Sequence, residues 1–450
     1  MVIEWKSMLF VLVVLGIMVG VVKLLEKKFN LKAETKRKLI HMSMGFTMLT
    51  FPYIFTNTWS VGILAGIALV VMYLLKNTGL KKTLGTVLFD VERKSLGEVF
   101  FILSVFFIFY LSQGDPVSYS IPILILTLAD STAALVGKSY GKNKLNENNE
   151  DAKSFEGSFM FFMVAFMCTL VPLLLFTEVG REETLVISTI IGLNVAIIEM
   201  ISHTGNDNLL IPLTSYAFLA THLTLNTHDL RRNLIILAVM YVIIMIVNKI
   251  KVFSKLATVE VLVVGYLTII LYGLYAVIPP ALLFLTALTL PRLNAKEKEN
   301  VYDSRIIETN ILIGTAICGI VAITGWKKEF FMTYATCYSM HLIMNTYIRL
   351  RYYFDFSDFK SVVLAVLKGL VCIFLPSMLI QKLVFGEVMD YVLIFMIVMQ
   401  IACGIAAYVS RANVKKEEFS VDNGYYNTRI ILALTIITGT VVYITNMLGA

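Results

Sequence analysis

The stretch IPILILTLADSTAALVGKSYGKNKLNENNEDAKSFEGS, residues 121–158, begins as an apolar run and ends in glycines, lysines and a Glu-Gly-Ser turn. A helix needs about 20 largely apolar residues to cross a bilayer, so the run over 119–137 reads as a transmembrane helix with an acid, Asp130, inside it. A carboxylate in that position is costly and persists where a partner or a metal compensates it. Lys138, Lys142, Lys144 and Lys153 follow, and such a run suits a polyanion. Gly137 and Gly141 remove side-chain bulk where backbone would approach a phosphate, and Asp130 is an oxygen ligand of the type Mg²⁺ takes beside a nucleotide. The same residues also fit a helix end with a small-xxx-small packing face and a solvated basic loop.

Outward from this stretch the chain keeps the same character. Hydrophobic residues make up 58% and charged residues 15% of its 450 residues, against about 45–50% and 25% in soluble domains. Lipid therefore solvates most of it. About sixteen apolar runs approach bilayer length, at 8–25, 39–56, 59–75, 97–113, 119–137, 156–176, 184–200, 209–224, 232–248, 257–274, 276–291, 305–325, 330–348, 361–380, 388–409 and 428–448. The expected fold is all-α, a polytopic integral membrane protein with about sixteen transmembrane helices. The short run at 209–224 and the region of Pro279 and Pro280 define spans least sharply.

Lys and Arg collect in cytoplasmic loops. Lys23, Lys27, Lys28, Lys32, Lys36, Arg37 and Lys38 crowd the first connection, which puts it in the cytoplasm and the N-terminus outside. Basic residues recur in most odd-numbered connections, and Glu178, Glu182 and Glu183 mark the sixth as external. Arg231, Arg232, Lys327 and Lys328 break the alternation. The first run has a nearly neutral flank and no small-residue cleavage site, so it reads as a membrane anchor. The net charge of +7 is spread over loops, which suits anionic headgroups and gives no argument for nucleic acid. Cys168, Cys318, Cys337, Cys372 and Cys403 lie in apolar runs without metal-site or disulfide spacing.

Two further clusters fall on the cytoplasmic side. In AETKRKLIHMSMGF, residues 33–46, Glu34, Lys38, His41 and Gly45 are spaced four, three and four apart and share one helical face. Lys38 suits a phosphate and His41 a hydroxyl proton, while a basic flank with a buried histidine accounts for the same residues. In IIEMISHTGNDNLLIPL, residues 197–213, Glu199 precedes a turn containing Gly205, Asp207 and Asn208. Asp207 suits a second metal ligand or a base, and the turn also reads as an ordinary helix cap.

Taken together, RKLIH, the D-x-x-A-x-x-x-G-x-x-x-G-K run with its KSFEGS continuation, and E-x(7)-DNLL-x-PL resemble a family of membrane CTP-dependent lipid enzymes. That family contains dolichol kinase, phytol kinase, the CTP-dependent diacylglycerol kinase and, more remotely, phosphatidate cytidylyltransferase. The resemblance spans roughly the first half of the chain. It implies a nucleotide and metal site made by Asp130, Gly137, Lys138, Gly141, Lys142, Lys153, Glu156, Gly157 and Ser158, enclosed by helices and open to the cytoplasmic face. The HTGNDNLLIPL segment echoes the cytidylyltransferase ending through His203, Gly205 and Asp207. Asn208 stands there in place of an arginine, however, and Pro212 follows where an acid is expected. Arg37 to His41 and the DNL-x-x-PL ending look like the kinase branch.

The expected activity is transfer of the CTP γ-phosphoryl group to a lipid hydroxyl, with Mg²⁺ on Asp130 and shared with Asp207. Lys138, Lys142 and Lys153 would neutralise charge, and His41 or Asp207 would take the proton. The alternatives are a phosphatidate cytidylyltransferase and, from another class, a lipid transporter or flippase. The charged residues gather on one membrane face instead of along a midplane path, which disfavours transport. No Walker A sequence occurs. The expected domains are a lipid kinase-like unit over 1–230 and a multi-span unit of unassigned role over 231–450. In the latter, Asp303-Ser304-Arg305 and Asn427-Thr428-Arg429 hint at an internal repeat. His341 and Asn345 sit four apart, as for a polar interior or a helix-packing hydrogen bond.

Overall fold

The computed structural model describes residues 3–29, 33–77, 97–143, 153–202, 205–248, 325–386 apart from 326, 353 and 355, 390–411, and parts of 262–289 and 431–444. The described residues are overwhelmingly helical, with no β-strand among them. Among the described residues five helices are long and apolar enough to cross a membrane: Trp5–Glu26, Pro116–Tyr140, Phe155–Phe176, Arg181–Met200 and Asp358–Phe385. Shorter apolar helices lie at Thr58–Leu74, Gly97–Ser112, Leu274–Leu283, Leu393–Val409 and Ala433–Val442. The run expected at 305–325, much of those at 257–274 and 428–448, both arginine-bearing repeat segments and Cys318 lie outside the described residues. Cys168, Cys337, Cys372 and Cys403 are free thiols.

The chain divides into two compact units, Met1–Ile235 and Ile236–Ala450. The first contains α1 (Trp5–Phe29), α2 (Ala33–Met48), α3 (Phe51–Ile54), α4 (Thr58–Asn77), α5 (Gly97–Ser112), α6 (Pro116–Leu124), α7 (Asp130–Tyr140), α8 (Phe155–Phe176), α9 (Arg181–Ile201) and α10 (Asp207–His222). Helix α11 (Thr227–Asn248) runs across the division. Leu9, Ile17, Leu24 and Phe176 point outward, as expected of helices that meet lipid.

The helix that carries Asp130 is shaped by its sequence. Asp115 caps it by accepting from the Ser118 N–H at 2.8 Å, and Pro116 occupies the first turn, where no N–H is missed. Pro122 interrupts the backbone ladder, and the chain then widens into a π-turn over Ile125–Ala129 before α7 resumes at Asp130. An aromatic cluster braces the far end of α2. Phe109 and Tyr119 meet edge to face at 5.7 Å, Phe51 packs on Phe55 at 5.1 Å, and the Tyr119 hydroxyl donates to the Met48 carbonyl at 3.0 Å. That bond satisfies one of the carbonyls a helix end leaves open.

Helix α2 lies close against the π-turn at Gly45, where a Cβ would stand 2.7 Å from the Cβ of Thr127. Gly45→Ala is therefore expected to lower stability by about 1–3 kcal/mol, the usual range for overpacking. Gly16→Ala serves as the control, since nothing lies within 4 Å of a Cβ there. Thermal unfolding in detergent separates the two.

The second unit is organised around α13 (Lys327–Tyr352), reached after α12 (Ile278–Thr289) and followed by α14 (Asp358–Gly369), a second π-turn at Leu370–Phe374, α15 (Leu375–Phe385) and α16 (Asp390–Arg411). Residues 330–344 of α13 are buried on every face, and its composition is far more polar than that of the lipid-facing helices. Gly369 fits against Ile343 and Ser339, and Ser339 donates to Gln400 across the helix pair, the small-residue and hydrogen-bonded contact expected between membrane helices. His341 is buried and Asn345 half-buried.

Candidate active site

Two ion-pair clusters form in the first unit from segments far apart in sequence. In the first, Lys38 of α2 reaches Asp130 across 92 positions of chain. Its Nζ stands 2.6 Å from Oδ2 and donates to the Asp130 carbonyl at 3.4 Å. The Lys38 side chain is 5% exposed and that of Asp130 16%, so the pair is nearly dry, and each charge depends on the other. One turn along α2, His41 Nε2 lies 3.1 Å from the Leu126 carbonyl and 3.6 Å from Asp130 Oδ2. A carbonyl only accepts, so the Leu126 contact requires the proton on Nε2 and leaves the Nδ1 lone pair of a neutral imidazole available. The ring is held edge-on by Phe101 at 5.1 Å. Arg37 is exposed at the surface but within electrostatic reach of both Asp130 and His41. The Glu34 side chain lies outside the described residues.

In the second cluster Lys153 Nζ stands 3.0 Å from Glu199 Oε1 and 3.7 Å from Asp207 Oδ2, and also donates to the Glu199 carbonyl. Ser158 donates to Glu199 Oε2 at 3.2 Å. Burial works against the Lys153 ammonium, but Glu199 and Asp207 outweigh it and hold its pKa above the ordinary lysine value. Asp130 contributes in the same direction, so the two clusters share one electrostatic field. Asp207 opens α10 just after Gly205, whose φ of +88° is the left-handed conformation glycine favours. Asn208 donates to the Gly97 carbonyl at 2.8 Å, tying the start of α10 to the start of α5.

The glycines have a packing role. A Cβ on Gly137 would lie 3.1 Å from Ser154 Oγ, and one on Gly141 would collide with the Gly137 carbonyl and with Ser154 Oγ at 2.5 Å. A Cβ on Gly157 would meet the Ala133 carbonyl at 3.1 Å and Gly137 Cα at 3.2 Å. Helices α7 and α8 therefore touch nearly backbone to backbone, the contact small residues permit. Ser154 also caps α8 by accepting from the Gly157 N–H at 3.2 Å. Glu156 accepts from both the backbone and the side chain of Asn143, which fastens the two ends of the loop whose residues 144–152 lie outside the described set. Lys138 and Lys142 are exposed at the end of α7. Ser154, Phe101 and the carbonyls of Leu126 and Gly97 did not stand out in the sequence as site groups. Only Ser154 carried a local signal, as an N-cap before an apolar run.

The chain is 30% identical over 203 residues to the phytol kinase of Synechocystis sp., an alignment that covers 45% of this chain and 84% of that protein. No family model matches the chain, and no solved structure does. With most of a curated lipid kinase matched at that identity, the chain belongs to the phytol kinase family.

Proposed function

We propose that the protein is a CTP-dependent kinase that phosphorylates a membrane lipid alcohol at the cytoplasmic face. The supporting observation is the meeting of Lys38, His41 and Asp130 beside the Lys153, Glu199 and Asp207 cluster in a chain of the phytol kinase family. Phosphoryl transfer needs positioning and charge neutralisation more than covalent chemistry, and a buried and a half-buried lysine with acids at hand suit that demand. Lys38 and Lys153 bind phosphate oxygens, with the exposed Lys138 and Lys142 drawing the nucleotide in. His41 takes the hydroxyl proton at Nδ1, its ring fixed by the Leu126 carbonyl and Phe101.

Mg²⁺ that travels with a nucleotide takes one or two protein carboxylates and completes its shell with phosphate and water. Among the described residues no group of three or more His, Cys, Asp or Glu would hold a metal alone, whereas Asp130 and Asp207 offer single carboxylates, so the residues fit a nucleotide-borne ion. Bound there, Mg²⁺ would neutralise the developing phosphate charge.

The test is incubation of purified protein with labelled CTP and phytol, polyprenol, diacylglycerol or phosphatidate. The expected products are a lipid phosphate and CDP, with a prenyl alcohol as acceptor. Pyrophosphate and CDP-diacylglycerol made from phosphatidate would replace this reading with the cytidylyltransferase one.

A further inference from the structure

We infer that Glu199 is a positioning residue, which sets Lys153 and the Lys-Ser-Phe-Glu-Gly-Ser segment in the arrangement that receives the nucleotide; the inference rests on the kinase reading. Glu199 sits in the last turn of α9 with its side chain 9% exposed. Every acceptor it owns is directed at that one segment. Oε1 faces the Lys153 ammonium, Oε2 takes the Ser158 hydroxyl, and its backbone carbonyl takes Lys153 again. It thus grips the segment at residue 153 and at residue 158, on either side of the Ser154 cap that starts α8.

A brace of this kind does not require a charge. A glutamine in the same place would still accept from Ser158, at far lower cost in a buried, membrane-adjacent setting. What the carboxylate adds is a hold on the ammonium. Lys153 is the more open partner, 26% exposed against 9%, so its outer side is the one a phosphate would meet. The groups facing it are Glu199 from α9, Asp207 from α10 and, at longer range, Asp130 from α7, all acids. Glu199 is the nearest of them. It therefore decides where the ammonium stands.

The experiment combines two measurements on the full-length protein in lipid nanodiscs. The first is the rate at which an amine-acylating reagent modifies Lys153, read by mass spectrometry at a fixed mildly alkaline pH. Glu199→Gln removes the nearest anion that holds the ammonium inward, so Lys153 is expected to turn outward and its modification to rise several-fold. Glu199→Asp keeps the charge and is expected to recover much of the protection. The second measurement is kinetic. Glu199→Gln is expected to raise the KM for CTP about tenfold and to change kcat less than threefold, the pattern of lost binding. If Glu199→Gln does not insert, Ser158→Ala loosens the same grip and should move both readouts the same way by a smaller factor. Unchanged Lys153 reactivity in an inserted Glu199→Gln protein overturns the inference, and so does an unchanged KM in an active one. A wild-type protein that phosphorylates no lipid alcohol, with Lys153 still protected by Glu199, overturns the kinase reading alone.

Discussion

Asp130→Asn is expected to reduce lipid phosphorylation by at least about 10³-fold while the protein still inserts and purifies at its normal size. The substitution keeps the shape and leaves a carbonyl oxygen to accept from Lys38, although the nearly buried ammonium loses its counter-ion and stability falls by about 3–5 kcal/mol. It removes the negative charge beside His41 and the carboxylate offered to a nucleotide-borne Mg²⁺. Both of these losses act on the reacting groups. Near-normal turnover in a properly inserted Asp130→Asn protein would leave Asp130 as the packing partner of a buried lysine and move the chemistry to the Lys153 cluster. Turnover with labelled CTP, alongside size-exclusion and thermal unfolding, distinguishes these outcomes.

The helices of the first unit were legible because hydropathy and length carry them. The runs at 8–25, 119–137, 156–176 and 184–200 each correspond to a described helix of membrane-spanning length. The π-turn at Ile125–Ala129 was not legible, since only Pro122 marks it and proline does not specify how the ladder is repaired. Helix α13 shows a different limit. The run at 330–348 marks it, but nothing in that run shows that residues 330–344 are buried on every face. The total number of crossings stays an expectation for the same reason, because composition alone does not separate lipid-facing from protein-enclosed helices.

At the site, residue types announced themselves but their partners did not. Lys38, His41, Asp130, Lys153 and Asp207 stood out as charges at the ends of apolar runs. That Lys38 meets Asp130, and Lys153 meets Glu199, depends on helix packing that spacing does not encode. The glycines illustrate the ambiguity most clearly. Lack of a Cβ at Gly137 and Gly141 reads equally as room for a phosphate and as room for a neighbouring helix, and here Ser154 of the α8 cap fills that room. Asn208 looked like part of a signature and is used as a strut to Gly97.

Lys38→Met is expected to cost about 3–5 kcal/mol of stability, because it leaves a nearly buried carboxylate without its counter-ion. Methionine keeps the length and apolar stem of lysine, so the loss is one of charge and hydrogen bonding and not of packing volume. The double variant Lys38→Met with Asp130→Asn removes both charges and is expected to regain most of that stability while remaining inactive. This non-additivity is the mark of a direct pair. It also separates the two roles given to Lys38, since the fold asks only that Asp130 be compensated, whereas catalysis asks for a cation beside the phosphates and an anion beside His41. Thermal unfolding of the four proteins in one detergent gives the coupling energy. A double variant as unstable as Lys38→Met would mean that the lysine supports α2 through some contact other than Asp130. Recovered activity in the double variant would remove both residues from the mechanism.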